Sequence, residues 1–109
     1  MQLQTLNLPI TVPERELDAF CRRWKITELA LFGSVLRDDF NADSDVDLLV
    51  SFAPEADWSL LDHVQMEQDL GLMLRRPVDL ITRRAVERSQ NTRRRQSILA
   101  SAQPIYVTR

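Results

Sequence analysis

The chain has 109 residues, 44% apolar and 28% charged, a profile that excludes disordered and fibrous classes and suits one globular domain. No apolar run reaches the length of a membrane span, and Met1 to Leu8 lacks the basic start and apolar stretch of a secretory signal, so a single domain over 1–109 in the cytoplasm is expected. The net charge of −2 conceals a division: residues 1–74 hold fourteen acids against five bases, while residues 75–95 hold eight arginines against Asp79 and Glu87, an asymmetry that suits phosphate or an acidic partner, or simply a solvated arginine face.

Thr11, Pro13 and Glu14 predict a helix start, with a hydroxyl cap, a proline near the first turn and acids at the positive end of the dipole. The helix runs from about Pro13 to Trp24 and buries Leu17, Phe20, Cys21 and Trp24. Cys21 is expected to be a half-buried structural thiol rather than a nucleophile. Ile26 to Phe32 reads as a strand stopped by Gly33, with a short helix at about Ser34 to Asp38. Val46 to Phe52 is a second strand, and its nearly unbroken apolar run predicts burial on both faces. Ser59 caps a helix to about Leu74 that should turn Leu60, Leu61, Val64, Leu70 and Met73 inward. Gly71 should loosen or end it. Pro77 to Thr82 is a third strand, one or two helices follow between Arg84 and Ala102, and Pro104 to Thr108 is extended. Mixed elements around one small sheet give an α+β or α/β class.

The chemistry gathers between Leu31 and Asp47. Gly33 stands where a strand ends, and the turn it permits would aim free N–H groups and the Ser34 hydroxyl at an anion such as the phosphates of a nucleotide. Alone, a Gly-Ser pair is only a turn. Asp45 and Asp47 are two apart on the second strand, so both carboxylates project from one face, roughly 6 to 7 Å apart, while Val46 and Leu48 point into the core. Such neighbours repel unless a cation lies between them, and Mg²⁺ takes one or two carboxylates with water and phosphate oxygens completing its shell. Isolated, the pair would equally suit a loop cap. Asp79 adds a third carboxylate inside an otherwise apolar strand, as a metal ligand or as the base for an acceptor proton; the alternative is an edge residue or an ion pair with Arg75 or Arg76.

Together these residues carry a resemblance. Gly33-Ser34, ten further residues, Asp45-Val46-Asp47 and the later Asp79 resemble the hallmark of the minimal nucleotidyltransferases of the DNA polymerase β superfamily. The match spans Glu28 to Ile81. It implies a small mixed sheet with helices packed on it, an α+β core, and Mg²⁺-dependent nucleotide transfer, with one or two ions held by Asp45, Asp47 and Asp79. It also implies ATP as donor, Ser34 as a phosphate contact with Gly33 shaping the turn, and Arg37 neutralising phosphate charge, unless Arg37 only pairs with Asp38 or Asp39. Asp38-Asp39-Phe40 departs from the small residue frequent after that arginine. The resemblance further implies a partner, since such proteins are similar to the antitoxin half of pairs with a helical HEPN ribonuclease toxin, whose tyrosine accepts AMP. The alternatives are a module that neutralises its partner by occlusion and a small-molecule nucleotidyltransferase.

Other candidates carry less. His63 has no ligand spacing to another histidine or cysteine and reads as a surface or boundary residue. Trp24, Trp58 and Tyr106 are too scattered for a stacking platform. Arg83 to Arg95 is expected to dock an acidic partner surface, with an RNA backbone or plain solvation as alternatives, and self-association or assembly with the partner remains open.

Overall fold

The computed structural model describes residues 10–36, 41 and 44–108, apart from the Ser34 side chain. In chain order it contains α1 (Glu14–Arg23), β1 (Ile26–Phe32), a single 3₁₀ turn (Gly33–Leu36), β2 (Val46–Phe52), α2 (Leu60–Leu74), β3 (Val78–Thr82), α3 (Arg83–Glu87), α4 (Thr92–Ser101) and β4 (Gln103–Val107). The strands form one mixed sheet in the order β3-β2-β1-β4. β1 is antiparallel to β2 and β4, and β2 is parallel to β3, with α2 as the crossover that a parallel pair requires. The α+β class expected from the sequence is the one observed.

Alternation along the central strands splits the core into two layers. Leu29, Leu31, Val46, Leu48 and Val50 face α1 and α2, where they meet Leu17, Phe20, Met66 and Leu70. Ala30, Phe32 and Leu49 face the other way, onto Val86 of α3 and Ile98 of α4. Both faces of β2 are therefore covered, which is why its sequence reads as a continuous apolar run. Each fully buried Leu or Val contributes about 1.5–3 kcal/mol. No helix among the described residues is long and apolar enough to cross a membrane.

Several local expectations are corrected. Thr11 is not the cap of α1; Pro13 holds that position and makes no side-chain cap bond. Cys21 is fully buried rather than half-buried. Burial, with a smaller contribution from Asp18, pushes its thiol up to about 12, so the inert, structural reading holds.

The largest correction concerns α2. Ser59 caps it as expected, and Asp62 makes the cap reciprocal, but Leu60, Leu61 and Val64 lie on the exposed side, and Leu72 joins them. The buried side is Met66, Leu70 and Leu74, with Met73 only partly covered. Two polar residues set this rotation. Glu67 accepts the Leu80 N–H at 2.8 Å, and His63 Nε2 lies 2.6 Å from the Leu80 carbonyl, to which it can only donate. Since β3 is an edge strand, these bonds satisfy backbone groups that would otherwise be open to pairing. α2 stops at Leu74, before Arg75 as expected; Arg75 is left-handed, φ 58°, and the Arg75 and Arg76 N–H groups donate to the Gly71 carbonyl.

Candidate functional site

β1 and β2 are registered so that Phe32 faces Asp47, which brings Gly33, the next residue, directly over the Asp47 side chain. Gly33 has φ 75°, in the region that L side chains avoid. A Cβ built on it would collide with Asp47 Oδ2 and lie 3.3 Å from Asp47 Cγ. Glycine is thus required twice, by the backbone turn and by the carboxylate lying against it.

The parallel pairing of β2 with β3 aligns Asp47 with Asp79. Register partners in a parallel pair share a face, and neighbouring strands are about 4.8 Å apart. The two carboxylates consequently leave the sheet side by side, on the face that carries Ala30, Phe32, Leu49 and Ile81. Asp47 is half-buried and Asp79 exposed. Asp45 is exposed and sits just before β2, two residues from Asp47, while Val46 between them is fully buried, as the alternation predicted.

Two contacts fix this end of the sheet. The Val46 N–H donates to the Pro77 carbonyl at 2.9 Å. Arg76 Nη1 donates to the Asn41 carbonyl at 2.8 Å and to the Ser44 carbonyl at 3.3 Å, holding the segment that delivers Asp45. Sequence reasoning had offered Arg75 or Arg76 as an ion-pair partner for Asp79; among the described residues no such pair forms. The role of Arg76 went unseen because its acceptors are backbone carbonyls more than thirty residues away, and no sequence pattern marks such a contact.

Ser34 lies in the 3₁₀ turn, following Gly33 as the motif requires; its side chain falls outside the described residues, as does Arg37. The structure therefore brings together Gly33, Asp47 and Asp79, with Asp45 adjacent. No three His, Cys, Asp or Glu side chains among the described residues are grouped so that they could hold one metal ion. Asp47 and Asp79 offer oxygen donors only, aligned across neighbouring strands, with Gly33 packed against the first. That donor chemistry fits Mg²⁺, which uses few protein carboxylates and takes its remaining ligands from water and phosphate.

One hollow lies away from these acids. It has a volume of about 550 Å³ and is lined by Val50, Phe52, Trp58, His63, Thr82 and Arg83, among others, at the far ends of β2 and β3. Gly33, Asp45, Asp47 and Asp79 do not border it. Trp58 there serves packing: its ring meets Trp24 edge-on at 5.0 Å, and its Nε1 donates to the Trp24 carbonyl.

Residues 14–105 match the family model of the nucleotidyltransferase domain. The protein adenylyltransferase MntA of Thermococcus cleftensis is 32% identical over 87 residues, spanning 80% of this chain and 83% of the relative. A solved structure described as a minimal nucleotidyltransferase superposes with a TM-score of 0.62 at 32% identity, covering 83% of this chain and 86% of the other. A tri-AMPylated HEPN toxin of Shewanella oneidensis in complex with its MNT antitoxin contains a chain that matches at a TM-score of 0.58 and 23% identity, covering 87% of this chain and 70% of that one, a likeness of fold. The chain belongs to the nucleotidyltransferase domain family and is a nucleotidyltransferase.

Proposed function

We propose that this enzyme is the antitoxin of a HEPN ribonuclease toxin and silences it by moving AMP from ATP onto a toxin hydroxyl, that of a tyrosine. The observation that carries the reading is the alignment of Asp47 with Asp79 beneath the Gly33 turn. In support, the relative from Thermococcus is a protein adenylyltransferase, and the Shewanella toxin bound to its MNT antitoxin carries AMP.

The acceptor oxygen attacks the α-phosphorus, a new O–P bond forms, the bond to the bridging oxygen breaks, and pyrophosphate departs. Asp45, Asp47 and Asp79 would hold Mg²⁺ as one or two ions, which would neutralise charge on the triphosphate and the leaving pyrophosphate. The N–H groups of the turn after Gly33 and the Ser34 hydroxyl bind phosphate oxygens, and Arg37 offsets their charge. Asp79 is the carboxylate within reach of an incoming protein, because it is exposed on an edge strand; it takes the acceptor proton or shares in holding the metal.

The test is intact-mass analysis of the toxin after incubation with this protein, Mg²⁺ and ATP. Mass increments of AMP, located on tyrosine by peptide mapping and absent from a toxin with that tyrosine changed to Phe, are expected. A toxin that is fully inhibited by stoichiometric protein yet gains no mass would overturn transfer in favour of occlusion.

A further inference from the structure

The helices α3 and α4 cover the same face of the sheet that bears Asp47 and Asp79. Between them lies a small hollow of about 160 Å³ lined by Ile81, Ala85, Val86, Ser89, Arg94, Arg95 and Ile98. Its floor is apolar, from Ile81, Val86 and Ile98. Ile81 is two residues beyond Asp79 on β3 and on the same face, so the hollow opens roughly 6 to 7 Å along the strand from that carboxylate. It is too small for a nucleotide, since small-molecule sites occupy about 300–1,000 Å³, but it has the scale of one aliphatic or aromatic side chain.

The rim is cationic. Arg95 is half-buried, and its Nη1 donates to the Ser89 carbonyl at 2.8 Å, which fixes one guanidinium at the edge. Arg94 is exposed beside it, and among the described residues no carboxylate pairs with Arg84, Arg88, Arg93 or Arg94. The arginine-rich segment thus divides into members with an internal task, Arg83 on Glu28 at 3.2 Å and Arg95 on Ser89, and members turned outward. Arg93, Arg94 and Arg95 also occupy the first turn of α4 with no acid among them, where the helix dipole disfavours positive charge. A solvated face explains exposed arginines; it does not explain why Arg94 and Arg95 border an apolar hollow on the face that carries Asp79.

We infer that this hollow is the docking point for the acceptor protein, receiving one apolar side chain of an acidic segment whose neighbouring carboxylate pairs with Arg94. The inference rests on the proposed transfer to a protein and adds where that protein is held. An apolar anchor placed there would keep an acceptor hydroxyl within a few residues' reach of Asp79. A nucleic-acid backbone would satisfy the arginines but leave the apolar floor without a function, so a protein is the better fit to both features.

The experiment compares Arg94→Glu and Ala85→Trp, the latter filling the hollow from an exposed helical position, in binding to the toxin at low and high salt, with a fluorescent ATP analogue and Mg²⁺ as the control ligand. Both variants should weaken toxin binding roughly tenfold or more. The Arg94→Glu loss should shrink as salt rises and the Ala85→Trp loss should not. Binding of the nucleotide should stay as in wild type. Toxin affinity equal to wild type in both variants would overturn the inference. So would loss in Arg94→Glu alone, accompanied by an equal loss of binding to an RNA oligonucleotide, which would assign the arginines to phosphate. Because docking is read as affinity and transfer as toxin mass, the two can fail separately.

Discussion

Changing Asp47 to Asn should lower nucleotide transfer by at least about a hundredfold while the protein stays folded. The substitution keeps shape and removes charge at a half-buried position aligned with Asp79, and loss of one preorganised electrostatic contact to a developing charge costs on the order of 10² to 10³ in rate. Initial rates with labelled ATP, read beside thermal unfolding, check both halves. Wild-type rates from a folded Asp47→Asn protein would remove this carboxylate from the chemistry.

Gly33→Val should damage fold and activity together. Valine at φ 75° is a steric outlier, and left-handed backbone costs an L residue about 1–2 kcal/mol. A domain of this size then loses roughly 4–10 °C in Tm. The new side chain must also displace the Asp47 carboxylate, which lies where its Cβ would be. Transfer should therefore fall more than stability alone explains, with weaker Mg²⁺ dependence as the mark of a moved ligand. Gly33→Ala, which shares the collision but lacks β-branching, should lie between wild type and Val. Unfolding curves and Mg²⁺ titrations of the two variants that overlay wild type would contradict the close approach.

How much of this was legible beforehand depended on whether a residue's partner is local. The spacing of Asp45, Val46, Asp47 and Leu48 fixed which side chains share a face, and the structure buries Val46 and Leu48 as alternation requires. Asp79 was visible as an acid out of place in an apolar strand, and its alignment with Asp47 follows from a strand order that spacing does not encode. The error in α2 has a physical cause. The expected inward set, Leu60, Leu61, Val64, Leu70 and Met73, mixes two sides of the helix, whereas Met66, Leu70 and Leu74 share a face with His63 and Glu67, whose bonds to Leu80 turn that face to the sheet. Polar residues that grip an edge strand look like solvent-facing ones until the strand is known. The grip of Arg76 on the Asn41 and Ser44 carbonyls is hidden for the same reason.

A crystal soaked with Mn²⁺ and a non-hydrolysable ATP analogue separates the acids at Gly33 from the hollow beside Trp58 as the place that receives the nucleotide. Manganese should give an anomalous peak in direct contact with the Asp47 carboxylate, with the triphosphate laid over the turn at Gly33 and Ser34. A nucleotide seated instead in the hollow of about 550 Å³ between Trp58 and Arg83, with no metal at Asp45, Asp47 or Asp79, would contradict the assignment of these acids to catalysis.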